Sequence, residues 1–118
     1  MTKIDWDKII HAIHMVETHG LTGPILGDGG AALGPLQIHR NYWLDSKVQG
    51  TYEDCASLEY SRRVVIAYMA RYATRDRLGF EPTPEVIARI HNGGPNGYKK
   101  KATLKYWEKI KEHLNENR

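Results

Sequence analysis

Val16-Glu17-Thr18-His19-Gly20 and, beyond a short turn-rich stretch, Gly27-Asp28-Gly29-Gly30-Ala31-Ala32-Leu33-Gly34-Pro35-Leu36-Gln37-Ile38-His39 are the residues whose reading decides the architecture. The first piece closes an apolar helical pattern with a carboxylate. The second sets another carboxylate among glycines and continues into a run that reads as extended and half-buried. Two acids on different rigid supports are what cleavage of a glycosidic bond needs: one keeps a proton for the leaving oxygen, the other faces the developing oxocarbenium ion.

Upstream, Trp6, Ile9, Ile10, Ile13 and Val16 fall at helical spacing and predict a helix from about Trp6 to Thr18, capped by Asp5 or Thr2 and stopped by Gly20. Glu17 then lies in the last turn, where the helix dipole opposes negative charge. Partial burial would add to that, and both effects raise a carboxyl pKa towards that of a neutral-pH general acid. From Leu21 to Gly34, Gly23, Pro24, Gly27, Gly29, Gly30 and Gly34 turn the chain repeatedly. Asp28 is expected to take hydrogen bonds from free backbone N–H groups there, with room for a sugar ring beside it. Either acid read alone is also an ordinary surface or turn residue.

Downstream, Gln37, His39 and Tyr42 offer hydrogen bonds and an aromatic face to a sugar, while Trp43 reads as core. Thr51 to Ser57 is polar and reads as a loop with Ser57 as a cap. Arg63 to Tyr72 carries Val64, Val65, Tyr68, Met69 and Tyr72 on an amphipathic helix, the expected central packing element. Asp76 to Pro82 reads as a connector. Thr83-Pro84 opens a helix that stops at Asn92-Gly93-Gly94-Pro95. Thr103, or the residue before it, opens the last helix, with Trp107, Ile110 and Leu114 inward; Lys99-Lys100-Lys101 before it reads as a solvated loop. The expected fold is mainly α (α+β), one domain over 1–118, with four or five helices and a small β-hairpin between the first two.

Bulk properties narrow the classes. A chain of 118 residues with 41% hydrophobic and 26% charged residues is neither disordered nor membrane-spanning in composition. Its longest apolar run, Val64 to Ala70, is too short to cross a bilayer. Cys55 is the single cysteine, which excludes an internal disulfide, and it reads as a packing residue rather than a nucleophile. A net charge of +3 suits a polyanionic partner without choosing one, and no nucleic-acid motif accompanies it. His11 and His14 lack a third ligand at helical spacing, so no metal or cofactor is expected. The start of the chain has no apolar signal core, so the expectation is synthesis in the cytosol or loss of a leader, with action at a cell wall.

Taken together, Glu17 at a helix end, Asp28, Gly34-Pro35-Leu36-Gln37-Ile38 with Tyr42-Trp43, Tyr68-Met69-Ala70-Arg71-Tyr72, Ala88-Arg89-Ile90-His91-Asn92-Gly93-Gly94-Pro95-Asn96-Gly97 and Tyr106-Trp107 resemble the invertebrate-type (destabilase-like) lysozymes from about Ile9 to Ile110. The resemblance implies a lysozyme-like fold and hydrolysis of the β-1,4 bond between N-acetylmuramic acid and N-acetylglucosamine. It places Glu17 on the general acid and Asp28 on the second carboxylate. It also implies that Gln37, His39, Tyr42, His91, Asn92 and Gly93 line the saccharide cleft. The expected partner is peptidoglycan or a chito-oligosaccharide, bound by a monomer without nucleic acid or membrane insertion. The family is cysteine-rich, whereas this chain has Cys55 alone, which points to a bacterial or phage-like branch; the turn after Asp28 also looks shorter by about a residue. Two rival readings share these residues: a lytic transglycosylase using Glu17 alone to form 1,6-anhydro ends, and an inert wall-binding module.

Overall fold

The computed structural model describes residues 3–116. Helix α1 spans Trp6–Thr18, and the Asp5 side chain caps it by accepting from the Lys8 amide. Thr2, the alternative cap, lies outside the described residues. The helix ends at Thr18 as expected, with its cap His19 in the left-handed conformation (φ 56°) and Gly20 following it there.

The insert after α1 is richer than a single hairpin. Strands β1 (Leu26–Gly27), β2 (Ala32–Leu33) and β3 (Ile38–His39) form an antiparallel sheet in that order. Leu33 to His39 is therefore not one extended run: Gly34 and Gln37 adopt positive φ and fold the chain back between β2 and β3. Gly34 is required at its site, because φ is +87° and a Cβ would stand 1.8 Å from the Cys55 carbonyl oxygen. The register pairs Ala32 with both Gly27 and His39, which carries Asp28 and His39 to the same end of the sheet.

Helix α2 (Arg40–Ser46) follows directly and carries Tyr42-Trp43, a helix the sequence reading did not anticipate. Thr51 to Ser57 is a 3₁₀ turn closed by a reciprocal cap between Thr51 and Asp54, not an open loop. Ser57 then caps α3 (Leu58–Tyr72), which starts earlier than its apolar pattern because the cap, not the first buried residue, sets the boundary. The connector contains a one-turn helix α4 (Arg75–Leu78). Helix α5 (Pro84–Gly93) begins behind the Thr83 cap, and α6 (Leu104–Leu114) closes the described chain.

The core gathers Ile9, Ile13, Leu36, Ile38, Val64, Val65, Met69, Ile87, Ile90 and Ile110, each almost inaccessible to solvent. Each such aliphatic side chain is worth about 1.5–3 kcal/mol. Trp107 and Leu114 pack against this core from α6 only partly buried. Leu36 and Ile38 belong to the β2–β3 turn and β3, so the insert is anchored in the helical core. Cys55 is buried, and burial pushes its thiol up to about 12, consistent with a packing residue. Arg89, also buried, donates to Thr103 Oγ1 (2.8 Å), Glu85 (2.6 Å) and the Lys100 carbonyl (2.9 Å). Thr103 spends its hydroxyl on the Gly97 carbonyl (2.7 Å) rather than on capping α6. That cluster fixes where α6 starts, and hence where its Tyr106 points.

Candidate active site

Glu17 sits one residue before the end of α1, and the next residue locks the helix end to the insert. Thr18 Oγ1 donates to the Pro35 carbonyl at 2.8 Å, and His14 Nε2 bonds the Leu21 carbonyl at 2.7 Å. The Glu17 side chain is left only 19% exposed. Tyr106 on α6 donates its hydroxyl to Glu17 Oε2 at 2.8 Å. Burial raises the Glu17 pKa from 4.5 to about 7, against the opposing effect of the Tyr106 bond. Desolvation, more than the helix end, thus does what the sequence reading expected. Burial and the Glu17 carboxylate push the Tyr106 hydroxyl well above its ordinary pKa, so it remains a donor.

His91, on the last turn of α5, approaches the same Glu17 oxygen, with Nε2 3.6 Å from Oε2. This is not an ion pair, because burial lowers the His91 pKa to about 4 and the ring is neutral. Its tautomer follows from its partners. Nε2 faces the Leu36 carbonyl at 3.0 Å, which can only accept, so Nε2 carries the hydrogen and Nδ1 accepts from the Tyr42 hydroxyl at 2.9 Å. Tyr42 is itself buried and stacks on Tyr68 with ring centroids 3.7 Å apart.

Asp28 adopts positive φ (53°), and its side chain is 71% exposed. Its carboxylate faces His39 Nε2 at 3.2 Å. Among the described residues no backbone amide donates to it, contrary to expectation. Gln37 is held from both sides, its Nε2 donating to the carbonyls of Gly34 (2.9 Å) and Ile25 (3.2 Å). Gly27 leaves room for it, since a Cβ there would stand 1.9 Å from Gln37 Oε1.

Glu17, Asp28, Ala32, Gln37, His39, His91 and Asn92 line one open cleft of about 340 Å³. The two acids and four of the six expected lining residues are thereby brought together. Tyr42 and Gly93 need correction. Tyr42 spends its hydroxyl on His91 and borders an adjoining hollow of about 320 Å³ with Tyr68, Asn92 and Pro95. Gly93 turns away towards Thr103, and its carbonyl accepts from Lys100 Nζ at 2.7 Å. Tyr106 was quoted in the sequence only as part of a motif; its role depends on α6 crossing α1, which no local pattern signals.

Comparison with known proteins places this geometry. The Destabilase family model matches residues 8–113. Lysozyme 1 of Crassostrea virginica is 44% identical over 79 residues, 65% of this chain and 42% of that protein. An invertebrate-type lysozyme of Ruditapes philippinarum is 42% identical over 82 residues, 68% of this chain and 59% of that one. The match thus spans only about half the length of these two relatives. A crystal structure of inhibitor-bound lysozyme from Meretrix lusoria superposes with a TM-score of 0.78 at 31% identity, covering 89% of this chain and 87% of that chain. With a family match from near the start of α1 to the end of α6, and a fold shared with a lysozyme at that identity, this chain belongs to the destabilase family.

Proposed function

We propose that the protein is a muramidase that hydrolyses the β-1,4 bond between N-acetylmuramic acid and N-acetylglucosamine in peptidoglycan. The observation that carries this reading is the placement of Glu17 and Asp28 on one sugar-sized cleft, with Glu17 buried enough for its pKa to stand at about 7. Family membership and relatives named lysozyme support it.

In this reading Glu17 enters the reaction protonated. Tyr106 occupies Oε2 as a donor, so the acid proton is carried on Oε1 and passes to the glycosidic oxygen as the bond breaks. Asp28, across the cleft, meets the developing positive charge at the anomeric carbon, either bonding to it or stabilising it electrostatically. The Glu17 carboxylate then takes a proton from the attacking water, which restores the acid. Neutral His91 keeps the wall beside Glu17 free of positive charge that would lower the acid's pKa.

Digestion of purified peptidoglycan with mass analysis of the new ends tests the reading. Reducing muramic ends, lost in both Glu17→Gln and Asp28→Asn, are expected. Anhydro ends from a still-active Asp28→Asn protein would replace it with the transglycosylase reading. Binding to peptidoglycan without new ends of either kind would leave a wall-binding module.

A further inference from the structure

A second hollow of about 340 Å³ adjoins the cleft on the Asp28 side, sharing His39 with it and lined otherwise by Gly30, Ala31, Arg40, Asn41 and Tyr52. Its charge differs from that of the cleft. The Arg40 guanidinium carbon lies 4.4 Å from the centroid of the Tyr52 ring, a stacked cation. That ring is itself fixed, because the Tyr52 hydroxyl donates to the Ile38 carbonyl at 2.6 Å. Arg40 is thus held in place without hydrogen-bonding its donors among the described residues: with Glu53 it makes only a loose, exposed ion pair at 3.9 Å, beyond hydrogen-bond reach. A planar fork of unused N–H groups, braced by an aromatic ring and flanked by the Asn41 amide, is the arrangement that recognises a carboxylate.

We infer that this hollow receives a carboxylate of the peptide stem carried by the muramic acid, with Arg40 as the residue that distinguishes stems with free carboxylates from stems whose carboxylates are capped as amides. The inference rests on the muramidase reading, in which the glycan occupies the adjoining cleft. A muramic residue there carries its stem on the lactyl group, off the side of the sugar chain, and stem peptides present free carboxylates. His39 is the wall common to both, and on the cleft side its Nε2 faces Asp28 at 3.2 Å. Among the described residues that line the hollow, Arg40 supplies the fixed positive charge, and a carboxylate entering it competes with the loose Glu53 ion pair.

The test compares wild type, Arg40→Gln and Arg40→Lys on two substrates: peptidoglycan with its stem carboxylates free and the same peptidoglycan after those carboxylates have been converted to amides. The expected result is that the ratio of kcat/KM for free-carboxylate over amidated peptidoglycan falls about three- to tenfold in Arg40→Gln, through KM, as for loss of one exposed charge-assisted bond. Arg40→Lys, which keeps the charge but loses the fork, should recover part of the ratio. The wild-type preference should also shrink as salt rises. An unchanged ratio in Arg40→Gln overturns this inference while leaving the muramidase reading standing. A wild-type protein that cleaves neither substrate overturns both.

Discussion

The Tyr106 hydroxyl donates a 2.8 Å hydrogen bond to Glu17 Oε2 across 89 positions of sequence, joining the end of α1 to the first turns of α6. It is the contact that moderates the Glu17 carboxyl, the proposed general acid, since it lowers a pKa that burial raises. Removing the carboxyl proton altogether, in Glu17→Gln, should cost about 10²–10⁴ in rate, the range for general acid catalysis. Turbidity loss of a peptidoglycan suspension measures it.

Tyr106→Phe keeps the ring and deletes the donor. The Glu17 pKa should then rise further, because the deleted bond favoured the carboxylate. In wild type, kcat/KM should fall as pH rises through about 7, where the free enzyme loses its acid proton. In Tyr106→Phe that falling limb should move to higher pH, at a stability cost of about 1 kcal/mol for one hydrogen bond. A limb that stays in place would dissociate Glu17 from this ionisation.

Stability should carry the same signature. The folded Glu17 pKa of about 7 exceeds its unfolded value of 4.5, so its contribution is present at low pH and is lost as pH climbs from about 4.5 to 7. His91 has the opposite sign: its folded pKa of about 4 lies below 6.5, so the stability tied to its neutral form is lost as pH falls through that window. The two slopes oppose each other between about pH 4.5 and 6.5, and wild type should be nearly flat there. Glu17→Gln should uncover a stability that rises with pH, and above pH 7 it should be more stable than wild type by up to about 3 kcal/mol. Urea unfolding at a series of pH values measures both.

His91→Ala should be costly for a different reason. It leaves the Leu36 carbonyl and the Tyr42 hydroxyl without a partner and opens a void beside the stacked Tyr42–Tyr68 rings. A loss of about 2–4 kcal/mol is expected from unsatisfied groups plus cavity. Denaturant midpoints should show it at pH 7, where the ring is neutral and charge plays no part.

Two glycines of the insert should respond unequally to alanine. In Gly34→Ala the new methyl meets backbone, the Cys55 carbonyl at 1.8 Å, in a left-handed conformation, and should cost more than about 2 kcal/mol. In Gly27→Ala it meets only the Gln37 side chain, which can swing out by giving up its bonds to Gly34 and Ile25. That variant should fold with about 1–2 kcal/mol lost and bind glycan more weakly, because Gln37 then enters the cleft. Thermal unfolding together with glycan binding separates the two cases.

Helices α1, α3, α5 and α6 were legible in the chain because apolar spacing and caps are local signals: Asp5, Ser57 and Thr83 accept the first free amides, and the buried stripes follow at helical intervals. The position of Glu17 at a helix end and of Asp28 in a glycine turn was legible for the same reason. Helix α2 was not, since its seven residues are too few for a stripe, and the β2–β3 fold-back turned on Gln37 adopting positive φ, which its residue type does not announce. Tyr42 and Gly93 matched a cleft motif in sequence, but packing sent one into the core against Tyr68 and the other towards Thr103. Tertiary structure alone decided the chemistry of the acids. The pKa of Glu17 reflects water excluded jointly by α6, α5 and the insert, and the Asp28–His39 pairing is set by strand register. Such effects depend on which distant surfaces meet, and only the packed chain brings them within a few ångströms of one another.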